Sequence, residues 1–511
     1  MIMKRIAKLI YSNKFFGFIL LAFQLFILAM GYIWLVDYNV YIMGATSIIG
    51  AVLILYEVNR TDNPDFKTAW IVLIAIIPVF GALLYIYLHI DVSAREMRIA
   101  QERAAALTEK SNDTDIADEV FGMDKSMGGL CRFLLKHGGT SIYKNTKVQY
   151  FPLGDDFLHD MTEELKKAEH FIFLEYFIIN HNRYIWPEML AVLKEKAKRG
   201  VEIRIIFDGM GCMVTLPRNY AKQLEDMGIR CRIFSPIQPL LSTYQNNRDH
   251  RKITVIDGRC AYCGGINLAD EYANREERFG HWKDTGVRLD GEGVSGLTKL
   301  FLDMWNGIDM DDTKETCGEF MKASSSVPAQ GFVIPFGDTP LDNVQTGRQV
   351  YIDMLNTASR YVHIMTPYLV IDDGMYEAMK YAVQRGVDVR IIMPHIPDKK
   401  YMFWLARTYY PKLLAAGVRI FEYVPGFVHA KSAVSDDTKA VVGTINFDYR
   451  SMYLHYECAV LMYKTQCVED IEWDYMQTLD SCMEIDMSIY RRMNPIEKII
   501  GRISRLLAPM L

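Results

Sequence analysis

The chain carries one pattern twice. The first copy is His250-Arg251-Lys252-Ile253-Thr254-Val255-Ile256-Asp257, followed by Gly264-Gly265-Ile266-Asn267; the second is His429-Ala430-Lys431-Ser432-Ala433-Val434-Ser435-Asp436, followed by Gly443-Thr444-Ile445-Asn446. Each reads H-x-K-x4-D with the same offset to a Gly-x-x-Asn. Residues i and i+2 of a strand point to one face, so His250 stands beside Lys252 and His429 beside Lys431. Asp257-Gly258 and Asp436-Asp437 are turn signals, after which a returning strand brings Asn267 or Asn446 back towards its His and Lys.

The surroundings of the two copies are also alike. Ahead of the first, residues 157–170 read as a helix, 170–180 as an apolar strand, 186–199 as a helix and 201–208 as a buried strand. Residues 350–360, 361–371, 374–385 and 387–393 repeat that order ahead of the second. Arg199-Gly200-Val201-Glu202-Ile203-Arg204 nearly coincides with Arg385-Gly386-Val387-Asp388-Val389-Arg390. Short strands at 229–234 and 418–423 lead into the motifs. The expected fold class is α/β, with a duplicated unit occupying 146–315 and 343–485 and a Ser- and Pro-containing connector at 316–342.

These residue types suit phosphoryl chemistry. An imidazole attacks phosphorus or gives a proton to a leaving alcohol near neutral pH. A lysine ammonium is a compact cation for phosphate oxygens. The Asn amides and the Thr444 hydroxyl are expected to add donors to those oxygens. Two copies supply one His for attack and one for protonation, so the expected site needs no metal and no cofactor. The candidate catalytic set is His250, Lys252, Asp257, His429, Lys431 and Asp436, although Asp257 and Asp436 suit turn fixing better than substrate contact. A nucleophilic His needs an orienting carboxylate. Glu457 and Asp284, on strand-like segments after the two copies, are the candidates; the competing reading is an ordinary salt-bridged acid.

The 511 residues leave room for two or three domains, and 50% of them are hydrophobic, which points to a membrane portion. The net charge of −5 lacks the basic balance of a nucleic-acid binder. The nine cysteines are scattered, against a disulfide framework, and Cys260-x-x-Cys263 has no second pair at zinc spacing, so strand packing explains it better.

Residues 1–90 read as a membrane region with two or three transmembrane helices: a basic start, then uncharged runs at 15–36, 38–56 and 68–88, the second weakened by Gly44 and Gly50 and the third carrying Pro78. The first run is long for a signal peptide and lacks a clear cleavage site. The expectation is a multi-pass protein of the cell membrane; three spans place the catalytic part outside and two place it inside. Residues 91–145 read as a helical linker. In 486–511, Ile496, Ile499, Ile500, Ile503 and Leu506 share a helical face and Lys498, Arg502 and Arg505 another. That is a basic amphipathic helix suited to an anionic bilayer, or a terminal helix docked on the domain.

The doubled H-x-K-x4-D with its G-[GST]-x-N resembles the phospholipase D superfamily, and more closely its bacterial cardiolipin synthases. Supporting stretches are Phe173-Leu174-Glu175-Tyr176-Phe177, Thr366-Pro367-Tyr368-Leu369, Asn247-Arg248-Asp249-His250, Asn63-Pro64-Asp65-Phe66-Lys67-Thr68-Ala69-Trp70 and Ser504-Arg505-Leu506-Leu507-Ala508-Pro509. The resemblance implies two similar halves packed with the active site between them. It implies transfer of a phosphatidyl group from one phosphatidylglycerol to another through a phosphatidyl-histidine, with His250 as nucleophile and His429 as acid and base, or the reverse. Gly265 stands where the second copy has Thr444, and its amide is expected to replace the hydroxyl. Rival readings are a lipid hydrolase with the same residues, a nucleic-acid phosphodiesterase and a non-catalytic membrane scaffold.

Overall fold

The computed structural model describes residues 26, 39–60, 63–89, 99, 114–181, 183–236, 246–308, 317–321 and 326–510. Apart from residue 26, the first apolar run lies outside them, as does the charged segment at 91–110 apart from residue 99.

The first half holds β1 (Thr146–Phe151), β2 (Phe171–Tyr176), β3 (Glu202–Asp208), β4 (Arg230–Phe234), β5 (Lys252–Ile256), β6 (Cys260–Gly264), β7 (His281–Lys283) and β8 (Gly286–Gly291). The second holds β9 (Phe332–Asp338), β10 (Tyr361–Met365), β11 (Asp388–Pro394), β12 (Arg419–Tyr423), β13 (Gly426–Val428), β14 (Ser432–Ser435), β15 (Lys439–Gly443), β16 (Glu457–Tyr463) and β17 (Cys482–Ile485). The first sheet runs β1-β8-β6-β5-β2-β3-β4 and the second β9-β16-β15-β14-β10-β11-β12-β17. The two orders match strand for strand, with β17 added at an edge. In both, the three strands joined by helical crossovers are parallel and the motif strands antiparallel. Antiparallel pairing follows from the short Asp turns, and parallel pairing from the helices at Ile185–Lys198 and Asp373–Gln384.

The sheets face each other. Ile253, Val255, Ala261 and Val287 of the first and Val434, Val442, Cys458 and Val460 of the second form one buried layer, joined by Leu297 and Phe301 of helix Val294–Ile308. Phe301 stacks on Phe173 at 4.6 Å. Each fully buried aliphatic or aromatic side chain in this layer contributes roughly 1.5–3 kcal/mol. The opposite faces are covered by helices in separate cores.

Three expectations are corrected. The 316–342 connector contains β9, which pairs with β16 over seven residues from Phe332↔Tyr463 to Asp338↔Glu457 and takes the place that β1 has in the first half. The helical linker also belongs to the second half: Val120, Met127, Leu130 and Leu134 of helices Thr114–Met123 and Lys125–His137 pack in one core with Phe336 and Val350. The third apolar run is not one helix. Helix Pro64–Ile76 ends at Ile77, and Pro78, which lacks the N–H to continue a ladder, opens helix Pro78–His89. The second helix folds back on the first, with Trp70 and Tyr85 edge to face at 5.2 Å. Arms of 13 and 12 residues are each about 20 Å long, against a hydrocarbon core of about 30 Å. Among the described residues, no helix is long and apolar enough to cross a membrane.

At the other end, the amphipathic segment is a terminal helix docked on the domain, with an apolar face left exposed. Helix Pro495–Leu506 docks through Gly501, where an added Cβ would lie 2.4 Å from the Trp404 carbonyl oxygen. Ile496, Ile499, Ile503 and Leu506 remain 52–65% exposed.

Candidate active site

Each motif His stands at the end of a short parallel strand pairing that crosses between the halves. β13 pairs with β7, so the residues that follow, His429 and Asp284, arrive side by side. The His429 amide donates to the Lys283 carbonyl at 2.7 Å. On the other side Asp249 bridges Tyr456 in parallel, and His250 and Glu457 follow. The His250 amide donates to the Tyr456 carbonyl at 2.9 Å.

The consequence is an exchange of carboxylates. Nδ1 of His250 lies 2.9 and 3.0 Å from the two oxygens of Glu457, and Nδ1 of His429 lies 2.6 Å from Oδ2 of Asp284. Each imidazole is held by the acid of the opposite half. With Nδ1–H donating to a carboxylate, Nε2 keeps its lone pair for phosphorus or for a proton. Lys252 and Lys431 donate to the carbonyls of His250 and His429, and the Lys431 Nζ is 2.8 Å from His429 Nδ1. All four side chains are buried.

Burial sets the electrostatics. It pushes both imidazoles well below their ordinary value, with the motif lysines acting in the same direction. It raises the carboxyls of Glu457 and Asp284 to about 7 and lowers the Lys431 ammonium to about 7. The unliganded site therefore favours neutral imidazoles, the state a nucleophile requires.

The supporting residues do less for phosphate than expected. The Thr444 hydroxyl donates to Glu457, and its amide donates to the Cys458 carbonyl at 2.9 Å. The Gly265 amide likewise donates to the Thr285 carbonyl at 3.0 Å, so it does not replace a hydroxyl. Position 265 is glycine because Asp284 fills the space: a Cβ there would lie 2.1 Å from Oδ1. Asn267 accepts from the Ile178 amide and donates to the Tyr272 hydroxyl, whose ring flanks His429 at 5.3 Å. Asn446 is buried with Oδ1 unpartnered among the described residues. Asp257 and Asp436 lie in the turns that end β5 and β14. Each accepts three backbone N–H bonds, from Glu169, His170 and Phe171 and from Ser359, Arg360 and Tyr361. They are turn residues and leave the catalytic set.

Two contributors carried no sequence signal. Ser451 donates to Glu457 at 2.7 Å from the short helix Tyr449–Tyr453. His455 lies 5.7 Å from His250, ring to ring. His250, His455 and Glu457 form the one trio of metal-ligand side chains found among the described residues, with ligand atoms within 4.8 Å of one another. A metal there would take His250 away from its carboxylate.

Two His–Lys pairs brought together between duplicated sheets make a phosphodiester-transfer centre. The family described as "Cardiolipin synthase, PLD-like domain" matches residues 161–286 and again 351–478, and "Phospholipase_D-nuclease N-terminal" matches 45–88. Cardiolipin synthase 2 of Bacillus anthracis is 32% identical, covering 91% of this chain and 90% of its own. The cardiolipin synthase of Alkalihalophilus pseudofirmus is 31% identical, covering 97% and 98%. An uncharacterized protein of Streptococcus mutans is 47% identical over 90% of this chain and 99% of its own. Among solved structures, phosphatidylserine synthase of Haemophilus influenzae shares the fold with a TM-score of 0.56 at 14% identity, over 71% of this chain and 95% of that one. The chain belongs to the cardiolipin synthase family with phospholipase D-like domains.

Proposed function

We infer that the chain is a cardiolipin synthase, a phosphatidyltransferase that joins two phosphatidylglycerols into cardiolipin and releases glycerol. The observation that carries the reading is the crosswise pair of carboxylate-held imidazoles, each beside a lysine. Nε2 of His250 attacks phosphorus, the bond to the glycerol oxygen breaks, and that oxygen takes a proton from His429. The hydroxyl of a second phosphatidylglycerol then gives its proton to His429 and attacks, breaking the P–N bond. The lysines offset phosphate charge in both steps. Assigning attack to His250 rests on the two side-chain hydroxyls, of Thr444 and Ser451, that hold its acid, where Asp284 has the Thr285 amide. His429 is neutral before substrate binds; the phosphodiester anion favours its protonated form.

We further propose that the enzyme works at the cell membrane, held there by its N-terminal apolar segments and its C-terminal helix. The hairpin is fixed to the catalytic body: Asn63 donates to the Tyr453 hydroxyl at 2.6 Å, Tyr449 donates to Asp65 at 2.7 Å, and Phe66 packs edge to face on both tyrosine rings.

The test uses full-length protein in detergent micelles with labelled phosphatidylglycerol and a chelator. Wild type is expected to give cardiolipin and free glycerol; His250→Ala and His429→Ala are expected to give neither. Acid-quenched wild-type turnover is expected to trap a labelled phosphatidyl adduct, and His250→Ala is expected to form none. Phosphatidic acid as the sole product would replace the synthase with a hydrolase.

A further inference from the structure

His455 is a largely enclosed side chain, its ring nitrogens buried, without an assigned task. It follows helix Tyr449–Tyr453, where its amide donates to the Arg450 carbonyl at 2.9 Å. Its side chain is 11% exposed, and its Nδ1 is 3.8 Å from Oε1 of Glu457, beyond hydrogen-bond reach. Neither ring nitrogen has a partner among the described residues. Glu457 does not supply one, because His250, Ser451 and Thr444 already occupy its oxygens.

Leaving a buried donor or acceptor unpaired costs about 1–3 kcal/mol. Here both are unpaired on one ring, beside the imidazole proposed to attack phosphorus. The geometry calls for a ligand that offers a donor and an acceptor together. A phosphodiester does not, because its oxygens only accept. A hydroxyl both donates and accepts, so it can pair with either nitrogen, one hydroxyl to each. Burial, with the neighbouring His250, Arg450, Arg248 and Lys252 acting in the same direction, holds the ring neutral, so it keeps one donor and one acceptor nitrogen.

We propose that His455 is a headgroup-binding residue: its imidazole hydrogen-bonds a second hydroxyl of the glycerol moiety, so the site selects alcohols that carry a hydroxyl beside the reacting one. The inference rests on the phosphatidyltransferase reading and adds to it the basis on which the alcohol is recognised. Sites built to pair a substrate hydroxyl reject analogues that lack it, because the buried partner is then stranded.

The experiment measures phosphatidyl transfer from phosphatidylglycerol in detergent micelles to 1,2-propanediol and to 1-propanol. The readout is the ratio of kcat/KM for the diol over the monohydric alcohol, which cancels any general loss of activity. Wild type is expected to favour the diol. His455→Phe is expected to reduce the ratio about tenfold, the loss of one hydrogen bond of about 1.4 kcal/mol. His455→Asn and His455→Gln, which keep a donor and an acceptor, are expected to recover most of it and serve as folded controls. A ratio unchanged in His455→Phe, with both alcohols slowed together, would reduce His455 to packing and overturn the proposal. So would tight zinc binding that depends on His455 while the ratio stays constant. A wild type that transfers to no alcohol would overturn the phosphatidyltransferase reading itself, and the inference with it.

Discussion

The acid behind each imidazole comes from the other half, and that fixes how it titrates. Glu457 is fully buried and its carboxyl is raised from 4.5 to about 7. A raised carboxyl is protonated as pH falls through about 7, and it then no longer draws the Nδ1–H of His250. Activity is expected to fall below about pH 7 for this reason, with Asp284 titrating in the same range, and Glu457→Gln is expected to leave a shallower acid limb and lower kcat by about 100- to 10,000-fold. Stability should move differently. A group that binds its proton more tightly when folded loses stability as pH rises from 4.5 to about 7, so the neutral amide is expected to melt no lower than wild type at pH 8. Rate–pH profiles beside melting curves check both signs; a Gln variant whose acid limb is as steep as that of wild type would remove Glu457 from this role. The histidines, lysines and both acids were legible in the sequence because the motif repeats and strand periodicity fixes their faces. The exchange of acids was not, because it depends on β7 meeting β13 across 142 residues of chain. Ser451 and His455 were hidden because a lone Ser or His near a motif has no pattern.

Helices and strands show where sequence patterning stops. The motif strands and crossovers follow from period and turn chemistry, and structure agrees with them to within a few residues over most of their length. β9 went unread because Phe332-Val333-Ile334-Pro335-Phe336 contains a proline. Proline is tolerated there because β9 is an edge strand, where an N–H can be spared. The helical hairpin was read as one span because Pro78 and Gly81 do not lower apolarity. The turns carry a prediction of their own. Asp257 sits at φ 54° and ties the end of β5 to the three residues that open β2, each N–H bond at 2.8 Å. Asp257→Ala strands those donors and is expected to cost about 1–3 kcal/mol, seen as a lower melting temperature, while the folded fraction keeps its specific activity. Loss of turnover in fully folded Asp257→Ala would return this residue to the chemistry.

The helical hairpin and the C-terminal helix meet on one side of the second half. Helix Pro495–Leu506 and the turn Ala508–Met510 both touch helix Pro64–Ile76, and the same C-terminal helix lies along helix Lys400–Arg407. That last helix begins next to Lys399, whose charge reaches both catalytic imidazoles. The apolar side chains left outside are concentrated here and on the N-terminal helices: Ile496, Ile499, Ile503 and Leu506 at one end, and Ile48, Val52, Leu55 and Ile76 at the other. Isolated exposed apolar residues need no explanation, but a cluster of this kind rimmed by Arg502, Lys498 and Arg505 fits an anionic bilayer. On the attachment proposed above, hairpin arms about 20 Å long would enter such a bilayer, and the C-terminal helix would lie in its surface. If the lipid enters from this face, the helix matters for turnover on membranes and not for the chemistry. Ile499→Asp/Ile503→Asp replaces two insertions, each worth roughly 1.5–3 kcal/mol, with charges. It is expected to lower binding of the full chain to phosphatidylglycerol vesicles at least tenfold and cardiolipin formation on them in proportion, with activity in detergent micelles kept within about twofold. Each basic residue near the surface adds about 1 kcal/mol that salt screens, so Arg502→Glu is expected to weaken vesicle binding at low salt and to lose that effect at high salt. Vesicle binding unchanged in both variants would leave attachment to the N-terminal segments alone and make the exposed isoleucines incidental.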